Sequence, residues 1–316
     1  MSKLQQIESL QQRFQSKGAI ISLQQLLIQR QAAKIIDYAP NNRSIAGISG
    51  LHTSKMRGRG IDFEEFRPYQ QGDDIRTIDW RVTARSGTAH TKLFHEDREQ
   101  PILVAIDQRT PMKFGSTQCF KSVMAAHVGT LALWSALGAG ERVGGVVLGD
   151  NTLSDTRPKR SQHSVLRVIG DLVREGAPGA ADGTASHDLS DLLQQLERIA
   201  RPGTRIFLVS DFHDLLVADN LSPLRRLARR TQMVGIAVDD RLEAELPRSG
   251  HYCVTDGNHH SSLDTGAESI RDAYASQYRS NQELTARRLR ELRIPLLKIS
   301  TGDDPLRRLL TVFPAR

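Results

Sequence analysis

The chain predicts a doubly wound α/β fold built on a mainly parallel sheet. Short apolar runs, Ile102-Leu103-Val104-Ala105-Ile106 and Ile206-Phe207-Leu208-Val209, each lead into a carboxylate, Asp107 and Asp211. Runs of this length with no polar alternation read as strands covered on both faces. From residue 91 onward, strand-like and helix-like segments alternate, the pattern of parallel crossover units.

Taken in order, residues 3–15 and 22–37 read as Gln- and Leu-rich helices parted by Gly18 and Ser22, and 40–60 as a loop rich in Asn, Gly, Ser and Thr. Residues 91–95 and 102–107 are strands, 118–138 a long helix, 142–148 a strand, and 161–175 and 188–200 helices. The strand 205–211 is followed by helix 221–230, then strand 232–238 ending at Asp239-Asp240. Helix 266–292, strand 296–300 and helix 304–311 complete the chain. The expected division is 1–49 as N-terminal helices and loop, 50–97 as a separate patterned module, and 98–316 as the α/β domain.

At 316 residues with 39% hydrophobic and 25% charged content, the chain reads as soluble and globular. Its +7 net charge is spread among acids, which favours a mixed solvated surface over a nucleic-acid face. The same reading applies to Arg225, Arg226, Arg229 and Arg230 and to Arg287, Arg288, Arg290 and Arg293 on helices. The polar start Met1-Ser2-Lys3-Leu4-Gln5-Gln6 has no signal-like apolar core, and Cys119 and Cys253 match no metal spacing, so a cytoplasmic protein is expected. Residues 122–140 are marginally long for a membrane span but interrupted by His127, Ser135 and small residues, and read instead as a buried helix. His251 and His259-His260 read as a solvent loop. There is no phosphate-loop motif and no Gly-x-Ser-x-Gly elbow, which argues against those two routes to catalysis.

Asp107, Asp211 and Asp239 all fall at carboxyl ends of expected strands, where open parallel sheets bind ligands. A strand ending in Asp, then a short polar turn and a helix, resembles the von Willebrand factor A fold. That resemblance implies an Asp-x-Ser-x-Ser turn, a Thr and a further Asp around a magnesium ion, oxygen ligands suited to a hard cation. Here the turn reads Asp107-Gln108-Arg109-Thr110-Pro111, so Arg109 and Pro111 stand where two serines belong. Asp211 matches the later Asp, and Thr184 or Ser186 the Thr. The expectation is a degenerate metal-free site in which Arg109 neutralises one or both aspartates. Weak magnesium binding by Asp107, Thr184 and Asp211 is the alternative, with no other cofactor. A metal-dependent phosphoesterase or nuclease using Asp107, Asp211 and Asp239 is the competing activity, weakened by the lack of an evident general base.

The densest pattern lies at Gly58–Arg85, with Arg67-Pro68-Tyr69, Gly72-Asp73-Asp74-x-Arg76 and Asp79-Trp80 at its centre. This run resembles the signature of the bacterial domain-of-unknown-function family fifty-eight, which joins it to a von Willebrand A-like half. Physically, Gly72-Asp73-Asp74 reads as a turn opening a helix, with one acid capping and the other meeting Arg76 or Arg67. Ile78 and Trp80 are expected to pack inward, with Arg85 available to Asp79; Arg57, Arg59 and Arg81 are the better partner contacts. The resemblance implies a non-enzymatic adaptor working with a MoxR-type AAA+ ATPase and a client protein. Its contact surface would join Arg67, Tyr69, Asp73, Asp74, Arg76, Asp79, Trp80 and Arg85 to the rim at Arg109.

Overall fold

The computed structural model describes residues 16–36, 62–70, 78–95, 100–177, 187–216, 218–248, 250–255 and 260–313. The expected helix 3–15, the loop 40–60, Arg57, Arg59, Gly72 to Arg76, Thr184, Ser186 and His259 lie outside the described residues. The chain divides into two compact units, one of Met1–His52 with Gln100–Arg316 and the other of Thr53–Glu99.

The larger unit begins with helix α1 (Leu23–Ala33), whose cap Ser22 accepts the Gln25 N–H at 3.4 Å. In the smaller unit, strand β1 (Asp62–Pro68) pairs antiparallel with β2 (His90–His95), and helix α2 (Trp80–Ser86) lies between them in sequence. Asp79 starts α2: its carboxylate accepts the Arg81 and Val82 N–H groups at 2.9 and 3.2 Å, satisfying donors a helix start leaves open. Its Oδ1 thus serves the backbone where the sequence suggested a salt bridge to Arg85. Gly87 ends α2 at φ +73°, a conformation that suits glycine. Two expectations need correction. Ile78 is only half-buried, bridging to Thr91, and Trp80 points outward with 68% of its surface exposed. None of the residues of α2 is buried, so the helix offers Trp80 no buried face.

The larger unit continues with β3 (Ile102–Asp107), α3 (Lys121–Gly138), β4 (Val143–Leu148), β5 (Leu153–Lys159), α4 (Gln162–Glu175) and α5 (Leu189–Ile199). Then follow β6 (Arg205–Ser210), α6 (Ala218–Arg230), β7 (Gln232–Asp239), α7 (Arg241–Ala244), β8 (His251–Thr255), β9 (His260–Asp264), α8 (Glu268–Glu291), β10 (Leu296–Ser300) and α9 (Pro305–Leu310). The central sheet has the order β10-β7-β6-β3-β4-β5, parallel throughout except for β5, which runs antiparallel on the β4 edge.

Alternation along β3 shows why the sheet is covered on both faces. Ile102, Val104 and Ile106 join one apolar cluster with α1, α3, α4 and α9, while Leu103 and Ala105 join another with α5 and α6. Helix α3 is buried from Lys121 to Ala136 because α1 lies against the side away from the sheet; Trp134 donates its indole N–H to the Leu26 carbonyl at 3.3 Å. No helix among the described residues is long and apolar enough to cross a membrane.

Strands β1, β5, β8 and β9 and the short helix α7 escaped the sequence reading. Strand β5 carries Pro158 and alternates weakly, as an edge strand can. It passes so close to β4 that a Cβ at Gly144 would meet the Thr156 carbonyl oxygen at 2.2 Å. The region expected to be a solvent loop around His251 and His260 is a β8–β9 hairpin, exposed along most of its length.

Candidate functional site

The parallel strands deliver Asp107, Asp211 and Asp239 to one edge of the sheet, at or just beyond the ends of β3, β6 and β7. The loop after β4 adds Asp150. Several of these carboxylates meet a cation supplied by the chain itself.

Arg109 turns back onto Asp107. Its Nε and Nη2 donate to the two Asp107 carboxylate oxygens at 3.0 and 2.7 Å, and its backbone N–H donates to Oδ1 at 3.1 Å. The Ser210 hydroxyl donates to Asp107 Oδ2 at 2.9 Å. A carboxylate offers about four acceptor positions, and here four donors fill them. The outer edge of the guanidinium reaches Asp214 at 2.7 and 3.3 Å. The expectation that Arg109 might also meet Asp211 is therefore corrected: its second carboxylate is Asp214.

Asp211 has a different counter-ion. Lys121, with a side chain 1% exposed, sends its ammonium to Asp211 at 2.8 Å and to Glu243 at 2.6 Å. Nothing in the motif-level reading singled out Lys121, yet a signal existed. It is the sole Lys, Arg, Asp or Glu in the eighteen-residue run 121–138, and it stands in the first turn, where the helix dipole disfavours a cation. A buried lysine there requires acidic partners. Lys113, in the loop after β3, lies 3.3 Å from Asp150 in the loop after β4, and Asp150 also accepts the Thr110 N–H and hydroxyl at 2.7 and 2.9 Å.

Burial pushes the Asp107 carboxyl up, against the pull of Arg109. Burial also opposes the charge on Arg109, but Asp107 and Asp214 more than offset it and the guanidinium is held above its ordinary value. These shifts favour different forms of the pair, and the geometry decides for the ion pair, since all four donors on Asp107 stabilise the anion. Burial raises Asp211 too, but Lys121 prevails and the carboxyl is held below the usual carboxylate range. Lys121 is held above its ordinary value: burial opposes its charge, and Asp211 and Glu243 outweigh that. Glu243, sharing the ammonium, is raised by burial.

Asp239 stands apart from this pairing. Burial raises its carboxyl, and Lys298 attracts it only at longer range. Together with Asp211 and Glu243 it lines a cleft of about 420 Å³ whose other wall, on α8, includes Tyr274, Gln277 and Tyr278. Both tyrosine hydroxyls are raised, chiefly by burial. Phe212, buried beside the cleft, adopts φ +57°, an uncommon conformation for a bulky residue. Its N–H is fixed by the Ser210 hydroxyl at 3.1 Å.

The donor set suits an internally neutralised rim better than a magnesium ion, which asks for several free oxygens in octahedral array. Among the described residues, no group of three or more His, Cys, Asp or Glu side chains is arranged to hold a metal. For a hydrolase, Arg109 and Lys121 are engaged as counter-ions, and neither is free to titrate near neutral pH. Of the contact residues expected in the smaller unit, Tyr69 is half-buried and Arg85 exposed, while Asp73, Asp74 and Arg76 lie outside the described residues. Arg67 lies in β1.

An uncharacterized protein of Mycobacterium tuberculosis is 30% identical over 266 residues, covering 81% of this chain and 80% of that protein. An uncharacterized protein of Mycobacterium bovis matches to the same extent. Solved structures resemble the chain more distantly. The conserved hypothetical protein BatB of Bacteroides thetaiotaomicron gives a TM-score of 0.34 at 12% identity, covering 61% of this chain and 98% of that one. An aerotolerance-related membrane protein of Bacteroides fragilis gives 0.39 at 10% identity, covering 67% and 98%. Likeness at that level carries no functional argument. Residues 65–284 match the family described as "Protein of unknown function DUF58", and the chain belongs to that family.

Proposed function

We propose that this protein is a non-enzymatic adaptor whose sheet rim, of von Willebrand factor A type, is a docking surface and not a reaction centre. The observation that carries the reading is the saturation of Asp107: Arg109 and Ser210 occupy its four acceptor positions. Where the fold's pattern asks for hydroxyl ligands, the chain supplies a guanidinium. The buried ammonium of Lys121 likewise occupies Asp211. Because Asp107 and Arg109 are themselves largely covered, a partner would meet the rim through its open neighbours, above all Tyr274, His213 and Glu243 around the cleft.

The family resemblance supplies the partner class, a MoxR-type AAA+ ATPase acting in the cytoplasm with a client protein. The test is direct binding of the purified full chain to such an ATPase from the same organism, by interferometry. Tyr274→Ala with Gln277→Arg should weaken binding at least about tenfold while the circular dichroism stays unchanged. Undiminished binding by that folded variant would remove the rim from the interface. Manganese-dependent phosphodiester cleavage abolished by Asp211→Asn would replace the adaptor reading with the hydrolase.

A further inference from the structure

The opposite end of the sheet carries a second feature, of opposite charge. Pro101, Arg142 and Thr204 immediately precede or abut the starts of β3, β4 and β6, so they mark the amino-terminal edge. Because β5 is antiparallel, its final residues reach the same edge, with Lys159 opposite Val143. The last residues of α5 and the turn after it bring Arg198 and Arg201. Together these elements form a cleft of about 440 Å³ to which Arg142, Arg157, Lys159, Arg198 and Arg201 all contribute, and among the described residues no carboxylate lines it.

Among the described residues, the acids nearest in sequence have partners other than these cations. Glu197 forms a two-pronged pair with Arg226, at 2.7 and 2.8 Å. Asp155 accepts from the Gln195 amide at 3.1 Å, and Glu141 accepts the Gln100 N–H at 3.1 Å. None of the five cations forms an ion pair with a carboxylate of the described residues. Three of the eight arginines expected from the sequence to form basic stripes differ in this respect. Arg226 is paired with Glu197, and Arg287 and Arg288 are paired with Glu291.

Five like charges converging on one concavity repel one another, and an anion placed among them reverses the sign of every interaction. Planar guanidinium forks match phosphate oxygens two at a time, and four of the five are arginines. A concavity of this size favours a compact ligand over an extended nucleic-acid backbone, which needs a track of charge, and over a flat membrane. We infer that this cleft is a binding site for a small soluble oligophosphate, an anion with two or more linked phosphate groups such as a nucleoside diphosphate. The site lies on the sheet edge away from the carboxylate rim and does not depend on the adaptor reading.

The experiment is isothermal titration of the full chain at about 50 mM salt with inorganic tripolyphosphate and with ADP, compared with orthophosphate. Saturable binding of tripolyphosphate or ADP, at least about tenfold tighter than orthophosphate, is expected. Arg157→Glu with Arg198→Glu, both at exposed positions, should weaken it at least about tenfold, whereas Arg225→Glu with Arg229→Glu, also exposed and outside the Glu197 pair, should leave it within about twofold. Absence of saturable binding by either oligophosphate would overturn the inference. So would equal loss in the two variants, which would mean diffuse attraction and not a site. Binding confined to phosphatidylglycerol vesicles would assign the cleft to a membrane surface and overturn the oligophosphate.

Discussion

Replacing Lys121 by Met probes the rim where its chemistry is least replaceable. The thioether is similar in length and suits an apolar helix, so what is lost is charge. Asp211, with a side chain 10% exposed, then keeps a buried negative charge without the ammonium now 2.8 Å away. Glu243 is 27% exposed and recovers part of its hydration, so most of the cost falls on Asp211. Removing one member of a buried ion pair costs about 3–5 kcal/mol, against total stabilities of about 5–15 kcal/mol. With a urea dependence of ~3 kcal/mol/M, the midpoint should fall by roughly 1–1.7 M. The chain has two tryptophans, buried Trp134 in the larger unit and exposed Trp80 in the smaller. Fluorescence in a Trp80→Phe background therefore reports on the unit that contains Lys121. Adding Asp211→Asn and Glu243→Gln to Lys121→Met should restore most of the lost stability, because the uncompensated charges go with the cation. The pH dependence has a definite sign. Asp211 is held below its ordinary value of 3.8, so the stability it confers is present above that pH and is lost as pH falls through its lower folded value. The deficit of Lys121→Met should accordingly shrink in acid. A single variant within about 1 kcal/mol of the parent at neutral pH would refute the reasoning.

Arg109→Lys keeps the charge but loses the fork that spans Asp107 and Asp214, and should cost about 1–3 kcal/mol in urea titration; Arg109→Leu should cost more. His127 is buried, both ring nitrogens lack hydrogen-bond partners, and burial lowers its value to about 4 from 6.5. The unfolded chain thus takes up this proton first, so stability is full above about pH 6.5 and declines toward pH 4 by up to about 3 kcal/mol. His127→Leu should flatten that decline in urea midpoints measured across the range. Asp79→Ala removes the cap of α2 and should cost about 1 kcal/mol, seen as faster hydrogen exchange in residues 81–86. Exposed Trp80→Ala should change stability by less than about 0.5 kcal/mol by the same denaturation assay.

The sheet was legible because β3, β6 and β7 are buried on both faces, and such strands leave unbroken apolar runs in sequence. Because the strands are parallel, the aspartates at their carboxyl ends share one edge, which the sequence order alone implies. Edge elements were not legible: β5 contains Pro158 and polar residues, and the β8–β9 hairpin faces solvent, so neither carries the apolar signal of a core strand. At the rim, the turn Asp107-Gln108-Arg109 suggested a local counter-charge because its two members are two residues apart. Lys121 and Asp211 are ninety residues apart and are joined only by the crossover topology. Trp80 misled for a related reason. An aromatic beside charges suggests a packed junction, but Trp80 opens α2, a short helix with no buried residue, which the motif does not reveal.

Titration of the full chain with magnesium and with manganese in a calorimeter tests most directly whether internal cations have taken the place of an ion at the rim. Heats indistinguishable from dilution are predicted up to millimolar metal, because the acceptor positions of Asp107 are filled by Arg109 and Ser210. One ion bound per chain in the micromolar range, and lost in Asp107→Ala, would contradict it.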